Sequence, residues 1–161
     1  MKKFATVLIC LGICVFFVGC EDGKECFVFN DLGIEVKMKI DETISVSYEN
    51  NTMLISNNNK NNEDIGVISV VKEKGKSINE IYDTYITGRG ERTKTVLSDD
   101  LIFVEIINKV DSVFLGERVD KMYCFIFYDK NEETVLYGRF FENSERDSVI
   151  SLAKSIEVVK K

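Results

Sequence analysis

A run of seven apolar residues, at positions 122–128, constrains the fold of this chain more than any other feature. Successive side chains of a strand point to opposite faces of its sheet. Phe125 and Phe127 therefore point one way, while Cys124 and Ile126 point the other way, and neither face tolerates water. The run predicts an interior strand of a sheet that other elements cover on both faces.

Short apolar or alternating runs elsewhere predict the remaining strands. Strict alternation over residues 34–40 is typical of a strand with one wet face, and the turn before it predicts a first hairpin. The predicted strands are residues 26–30, 34–40, 44–48, 52–55, 65–71, 101–110, 121–129 and 133–142.

A capping box marks the first of two predicted helices. Ser77 is the N-cap and Glu80 stands three residues later, so that each side chain can accept a hydrogen bond from the backbone N–H of the other residue. Apolar side chains then recur at helical spacing, at Ile78, Ile81, Tyr82 and Tyr85. We expect this helix to end at the glycine-rich residues 88–90.

A second amphipathic segment follows the last predicted strand. Its apolar residues fall at helical spacing over residues 149–156, and Asn143 or Ser144 is the expected cap. The order of elements is strands, helix, three strands and helix. This order predicts an α+β domain with a mostly antiparallel sheet and the helices packed on it.

The same order of elements resembles the PsbP-like domains, including bacterial lipoproteins of the DcrB kind. The resemblance runs from Asp31-Leu32-Gly33-Ile34 through the capped helix, the three-strand meander and the final helix, over nearly all of residues 26–160. It implies an α-β-α sandwich that serves as an accessory or binding module, mostly without catalysis. It assigns no functional residue.

The N-terminus has the layout of a secretory signal. Two lysines precede an uncharged stretch at residues 4–18, and Gly19-Cys20 follows. This stretch is 15 residues long, shorter than the roughly 17–25 that a membrane-spanning helix needs. Residues 17–20 resemble a bacterial lipobox, in which the cysteine is lipidated and becomes the mature N-terminus. An uncleaved anchor and an ordinary signal peptide are the alternatives.

These observations divide the chain into three parts. Residues 1–19 are the predicted signal peptide, residues 20–25 the lipidated Cys20 with a short charged tether, and residues 26–161 one α+β domain. The predicted location is the cell envelope, on the periplasmic or exterior side. Two or more acyl chains on Cys20 would suffice for stable membrane anchoring.

Charge limits the partners of the mature domain. Cleavage after residue 19 removes two lysines, which leaves 19 basic against 27 acidic residues, a net charge of −8. Anionic lipid should therefore repel the domain, so that the acyl chains alone hold it at the membrane. A sequence pI near 4.9 argues against nucleic acid as a partner.

Two cysteines of the mature domain are a candidate disulfide. Cys26 and Cys124 remain once Cys20 is lipidated and Cys10 and Cys14 are removed with the signal peptide. In an oxidising compartment they could join the start of the domain to a late strand. The alternative is that both are buried, reduced thiols that pack as small apolar groups.

The residue types available for chemistry argue against catalysis. The chain has no His, which excludes Ser-His and Cys-His nucleophile pairs and His-liganded zinc. Acidic residues occur as adjacent pairs, whose side chains point to opposite faces of a strand and do not converge. No calcium-loop motif occurs. We predict a protein that is not an enzyme, with no cofactor and no metal site.

The strongest polar cluster is basic. Arg89, Arg92 and Lys94 surround Gly88 and Gly90 in a predicted loop, where guanidinium groups could bind a carboxylate or phosphate. The alternative is a solvated surface loop.

The leading functional hypothesis is a non-catalytic, membrane-anchored lipoprotein that binds or supports another envelope protein. Two alternatives stay open: a small-ligand carrier with an apolar cleft, and a carboxylate-dependent hydrolase. A carrier needs a deep apolar cavity, and a hydrolase needs polar side chains that converge in a pocket.

Overall fold

The computed structural model describes residues 23–87, 90–112, 116–141 and 143–161. Within these ranges the chain forms ten strands and two α-helices. In chain order they are β1 (Glu25–Phe29), β2 (Ile34–Met38), β3 (Ile44–Glu49), β4 (Thr52–Asn57), β5 (Glu63–Lys72), α1 (Ile78–Tyr85), β6 (Glu91–Ser98), β7 (Leu101–Ser112), β8 (Gly116–Asp129), β9 (Thr134–Phe140), α2 (Arg146–Lys154) and β10 (Glu157–Lys160).

The strands form two antiparallel sheets. A seven-stranded sheet has the order β3-β4-β5-β9-β8-β7-β6, and a three-stranded sheet has the order β1-β2-β10. Every pair of neighbouring strands is antiparallel. The predicted α+β class with a mostly antiparallel sheet is confirmed. Neither helix in the described ranges has the length and apolarity to cross a membrane.

The larger core lies between the seven-stranded sheet and a layer made of α2 and the three-stranded sheet. Phe103, Phe125 and Phe140 supply the aromatic groups of the large sheet, all at most 1 % exposed. Val36 from β2 and Leu152 from α2 are among the residues that cover them. The predicted alternation of residues 34–40 is confirmed over β2, whose burial alternates strictly from Ile34 to Met38.

Two glycines make room for the aromatic rings of this core. Gly138 lies directly opposite Phe125, and Gly66 lies directly opposite Phe140, each on a neighbouring strand. A Cβ atom at either glycine would collide with the ring across from it. Glycine is therefore required by the close approach of each ring to the neighbouring backbone.

The second core lies on the other face of the seven-stranded sheet, under α1. Ile81 and Ile86 pack there with Cys124 and Ile126 of β8, and all four side chains are at most 2 % exposed. Phe125 on the first face is also fully buried. The prediction that residues 122–128 form an interior strand covered on both faces is thus confirmed.

The cover of the first face is more than a helix. The sequence predicts two helices against the sheet, but α2 shares its face with the three-stranded sheet. The strand β10, which pairs with β2, was not predicted because it is four residues long and half of it is charged. Its pairing depends on backbone hydrogen bonds rather than on a strong apolar pattern.

The ends of both helices differ from the prediction. The capping box of Ser77 and Glu80 is confirmed, but α1 ends at Tyr85, before the glycine-rich residues 88–90. The N-cap of α2 is Glu145, whose side chain makes no capping hydrogen bond. Ser144 is not the cap, because its hydroxyl instead donates to the carbonyls of Ile65 and Phe141. That contact ties the approach to α2 to β5.

The predicted disulfide between Cys26 and Cys124 is wrong. Cys124 is a free thiol, fully buried under α1. Cys26 lies on β1, whose neighbours Phe27 and Phe29 pack on the opposite face of the seven-stranded sheet. The sheet therefore stands between the two sulfurs. The candidate lipidation site Cys20 lies outside the described residues.

Removing the capping box should destabilise the domain measurably. The backbone N–H of Glu80 donates to Ser77 Oγ, and the Ser77 N–H donates to Glu80 Oε2 at 2.7 Å. We expect Ser77→Ala to lower the free energy of unfolding in urea by about 1 kcal/mol. Ser151→Ala, at an exposed position inside α2, is the matched control and should change it little. An unchanged midpoint for Ser77→Ala would show that the cap contributes nothing.

A charge on either face of β8 should prevent folding. Phe125→Asp and Ile126→Asp each bury a carboxylate on an opposite dry face, which costs several kcal/mol of a total stability of about 5–15 kcal/mol. Neither variant should yield soluble, folded protein. Val119→Asp, at a 40 % exposed position of the same strand, should fold normally. Normal thermal unfolding of either core variant would disprove the two-sided burial.

Candidate functional site

The predicted basic loop is partly an edge strand. Arg92 and Lys94 lie on β6, while Arg89 lies outside the described residues. The loop interpretation is wrong for these two residues because β6 pairs with β7 through its backbone, which needs no apolar pattern at a sheet edge. Positions 92 and 94 share one face of the strand, the face that carries α1.

Both cations contact α1 or the chain just after it. Lys94 Nζ lies 2.9 Å from Asn79 Oδ1 and 4.3 Å from the ring centre of Tyr82. Arg92 Nη1 donates to the carbonyl of Ile86 at 3.0 Å. A cation near the carbonyl end of a helix is favourable, which applies to Arg92. Lys94 instead holds the first turns of α1 through its hydrogen bond to Asn79 and its contact with the Tyr82 ring.

The described residues cover only part of the α1 side of the seven-stranded sheet. A helix of eight residues is about 12 Å long and about 10 Å wide, whereas seven strands span roughly 29 Å at 4.8 Å per spacing. The helix packs over β8. Its footprint is too small to reach β3 and β4, in whatever direction it runs.

The uncovered part begins at β9 and extends to the β3 edge. We call it the open sheet face and define it by Ser47, Leu54, Val67, Ser69 and Arg139. Register places Ser47 opposite Leu54, Leu54 opposite Val67, and Val67 opposite Arg139, so these four form one row across four strands. Leu54 is 38 % exposed, Val67 and Ser69 are half-buried, and the other two are exposed.

Arg139 is held in place by the tyrosine two residues before it. Its Nε and Nη2 atoms donate to the Tyr137 hydroxyl at 3.1 Å and 3.0 Å. That acceptor raises the pKa of Arg139 above its ordinary value, so the guanidinium stays charged. Both Nη1 donors and one Nη2 donor are not used by Tyr137.

Tyr137 is itself fixed from two sides. Its ring centre lies 5.6 Å from that of Tyr85 on α1, and its hydroxyl lies 3.9 Å from Cys124 Sγ. Tyr85 in turn donates to Glu73 Oε1 at 2.7 Å, and Glu73 pairs with Lys76 at 2.7 Å. This chain of contacts connects the closed core under α1 to the guanidinium on the open sheet face.

Burial keeps the thiol of this cluster protonated. It raises the pKa of Cys124, and the hydrogen bond with Tyr137 and the charge of Arg139 only partly oppose that change. The thiolate is the reactive form of cysteine. We therefore assign Cys124 a packing role beneath Tyr137.

Arg139 has no carboxylate partner within ion-pair distance in the part of the chain that the structure describes. Arg146 differs, with Glu105 at 3.6 Å and Asp147 at 3.2 Å. Asp64 lies in the neighbouring register row of the open sheet face, but it accepts a hydrogen bond from Ser56 at 2.9 Å. An unpaired guanidinium in a chain of net charge −6 is suited to an external carboxylate or phosphate.

A hollow lies beside the open sheet face. It has a volume of about 390 Å³ and is lined by Glu63, Asp64, Phe141 and Asn143. The Oδ1 atom of Asn143 is buried there without a hydrogen-bond partner. The residues that the structure describes contain no cluster of three or more metal-ligating side chains.

No protein-family model matches this chain, and no curated protein matches it.

The tyrosine that supports this site should titrate late. Burial and then the hydrogen bond to Glu73 raise the pKa of Tyr85 to about 12, from 10.0. Neutral Tyr85 therefore contributes stability that is complete below pH 10 and is lost as the pH rises toward 12. In a phenolate-absorbance titration up to about pH 11, the wild type and Tyr85→Phe should ionise the same number of tyrosines. In urea, the wild type should ionise one more tyrosine than Tyr85→Phe near pH 10. A difference of one tyrosine between the two folded proteins in this pH range would contradict the raised pKa of Tyr85.

Proposed function

We propose that this protein is a non-catalytic lipoprotein of the bacterial envelope, anchored through Cys20, whose α+β domain binds another envelope protein. Support for the anchor comes from the two N-terminal lysines, the 15-residue uncharged stretch and the lipobox-like residues 17–20. The observation that carries the binding role is the open sheet face with its unpaired Arg139.

The proposed anchor and the fold together favour an accessible binding face. Four residues lie between Cys20 and Glu25 at the start of β1, so the two are five residue steps apart, a reach of at most about 18 Å. The sheet that contains β1 packs on the opposite side of the seven-stranded sheet from α1. In this proposal the three-stranded sheet stays near the membrane and the open sheet face points away from it.

The domain architecture is proposed to be the PsbP-like α-β-α sandwich. In support, α1 lies on one face of the large sheet and α2 on the other. The capped helix precedes a meander of four strands, β6 to β9, one more than the sequence predicts. The three-stranded sheet beside α2 is an addition to a plain three-layer sandwich. This architecture suits an accessory module, in which a stable double core carries a binding surface.

Binding of a protein is favoured over the two alternatives by the shape of the site. A carrier of small apolar ligands needs an enclosed cavity, and a hydrolase needs carboxylates that converge. The open sheet face is a row of side chains across four strands. An extended face of this kind suits contact with another protein surface.

Anchoring is tested by replacing the lipidated residue. Cys20→Ala should move the protein from the membrane fraction to the soluble fraction, because the acyl chains are its only proposed attachment. Cys26→Ala, the same change six residues later, should leave the protein at the membrane. Intact-mass spectrometry of the membrane-bound protein should show an acylated Cys20. An unmodified Cys20, or one in a disulfide that occupies the same sulfur, would contradict the proposal.

A further inference from the structure

We infer that the open sheet face is the docking surface for a protein partner that presents an Asp or Glu carboxylate within an apolar patch, and that Arg139 binds this carboxylate. The inference rests on the proposed binding function and names its surface and the chemistry of the partner.

Arg139 has hydrogen-bond donors available for a ligand. Tyr137 accepts from Nε and from one N–H of Nη2, which fixes the plane of the guanidinium. The remaining Nη1 and Nη2 donors form the end-on fork of the group. Two parallel N–H···O bonds from that fork match the two oxygens of a carboxylate.

Arg139 is also preorganised for binding. The Tyr137 ring packs on Tyr85, and its hydroxyl lies over the buried Cys124. An arginine held in one geometry loses less side-chain entropy when it binds than a freely rotating one does. An Arg139 that served only solubility would need no such support.

The row of side chains beside Arg139 contains both aliphatic and small polar residues. Val67 lies directly opposite Arg139, and Leu54 lies opposite Val67, one strand farther along the row. The side chains of Ser47 and Ser69 nearby are small. The row crosses three strand spacings, about 14 Å in all. Contacts of Leu54 and Val67 with an apolar patch of the partner would exclude water from the charge pair.

Charge complementarity favours a partner other than a second copy. The mature chain carries a net charge of −8, so two copies repel each other. The same charge opposes a nucleic acid or an anionic membrane at this face. A partner that is not strongly acidic overall avoids this net repulsion. One of its carboxylates can then pair with Arg139.

The test uses the full-length lipoprotein in cells of its own host, with a photo-crosslinking phenylalanine analogue at position 54. The same analogue at the exposed position 157, on β10 of the three-stranded sheet, is the matched control. We expect a discrete adduct from position 54 only, and fragmentation should map the crosslink to a partner peptide that contains Asp or Glu. An adduct between two copies of the chain, or a partner peptide without acidic residues, would overturn the proposal.

Variants of Arg139 test the charge pair itself. Arg139→Gln should reduce the yield of the position-54 adduct by about tenfold or more, and Arg139→Glu should abolish it. Changing the mapped partner carboxylate to Arg should restore the adduct with Arg139→Glu. The urea midpoint of Arg139→Gln should match the wild type, which separates lost binding from lost folding. An adduct that is insensitive to Arg139→Gln would overturn the role of the guanidinium.

The outcomes also separate this inference from the proposed function. Adducts with another envelope protein from position 157 but not from position 54 would overturn the docking surface and leave the binding role intact. The absence of any envelope-protein adduct from positions spread over the exposed surface would contradict the proposed function as well.

Discussion

The burial of β8 on both faces is the constraint on which the rest of the structure depends. Phe125 and Ile126 are adjacent, point to opposite sides, and are both fully buried. A sheet with two dry faces needs a layer on each side. Among the residues that the structure describes, one face has α2 and the three-stranded sheet, whereas the other has the eight-residue helix α1.

The unequal size of these two layers explains where a binding surface is left. The layer on the first face covers aromatic residues from β7 to β9, and reaches β3 through the contacts of Phe27 and Phe29 with Tyr48. On the second face α1 covers the strands around β8 and stops. Arg139 stands at the boundary, with its backbone on β9 and its support from Tyr137 in the covered part.

What the sequence could predict follows from how strongly each element depends on its own side chains. The apolar run of β8 and the capping box of α1 are local signals, and the sequence predicts both correctly. The edge strand β6 and the short β10 depend on backbone pairing with distant partners, so their own residues carry little signal. The sequence does not single out Arg139, for a related reason. Alternation along β9 places Arg139 on the same face as Val135 and Tyr137. The sequence does not show that α1 covers only part of this face, because that depends on where α1 packs.

The most direct test of this account is hydroxyl-radical footprinting of the folded wild-type protein, read out by mass spectrometry. It compares aliphatic side chains on the same side of the same sheet. Leu54 and Val67 should be oxidised readily, and Ile102 and Val104 under α1 should be protected until urea unfolds the domain. Equal protection of both pairs would show that another part of the chain covers the open sheet face, and would contradict a docking surface there.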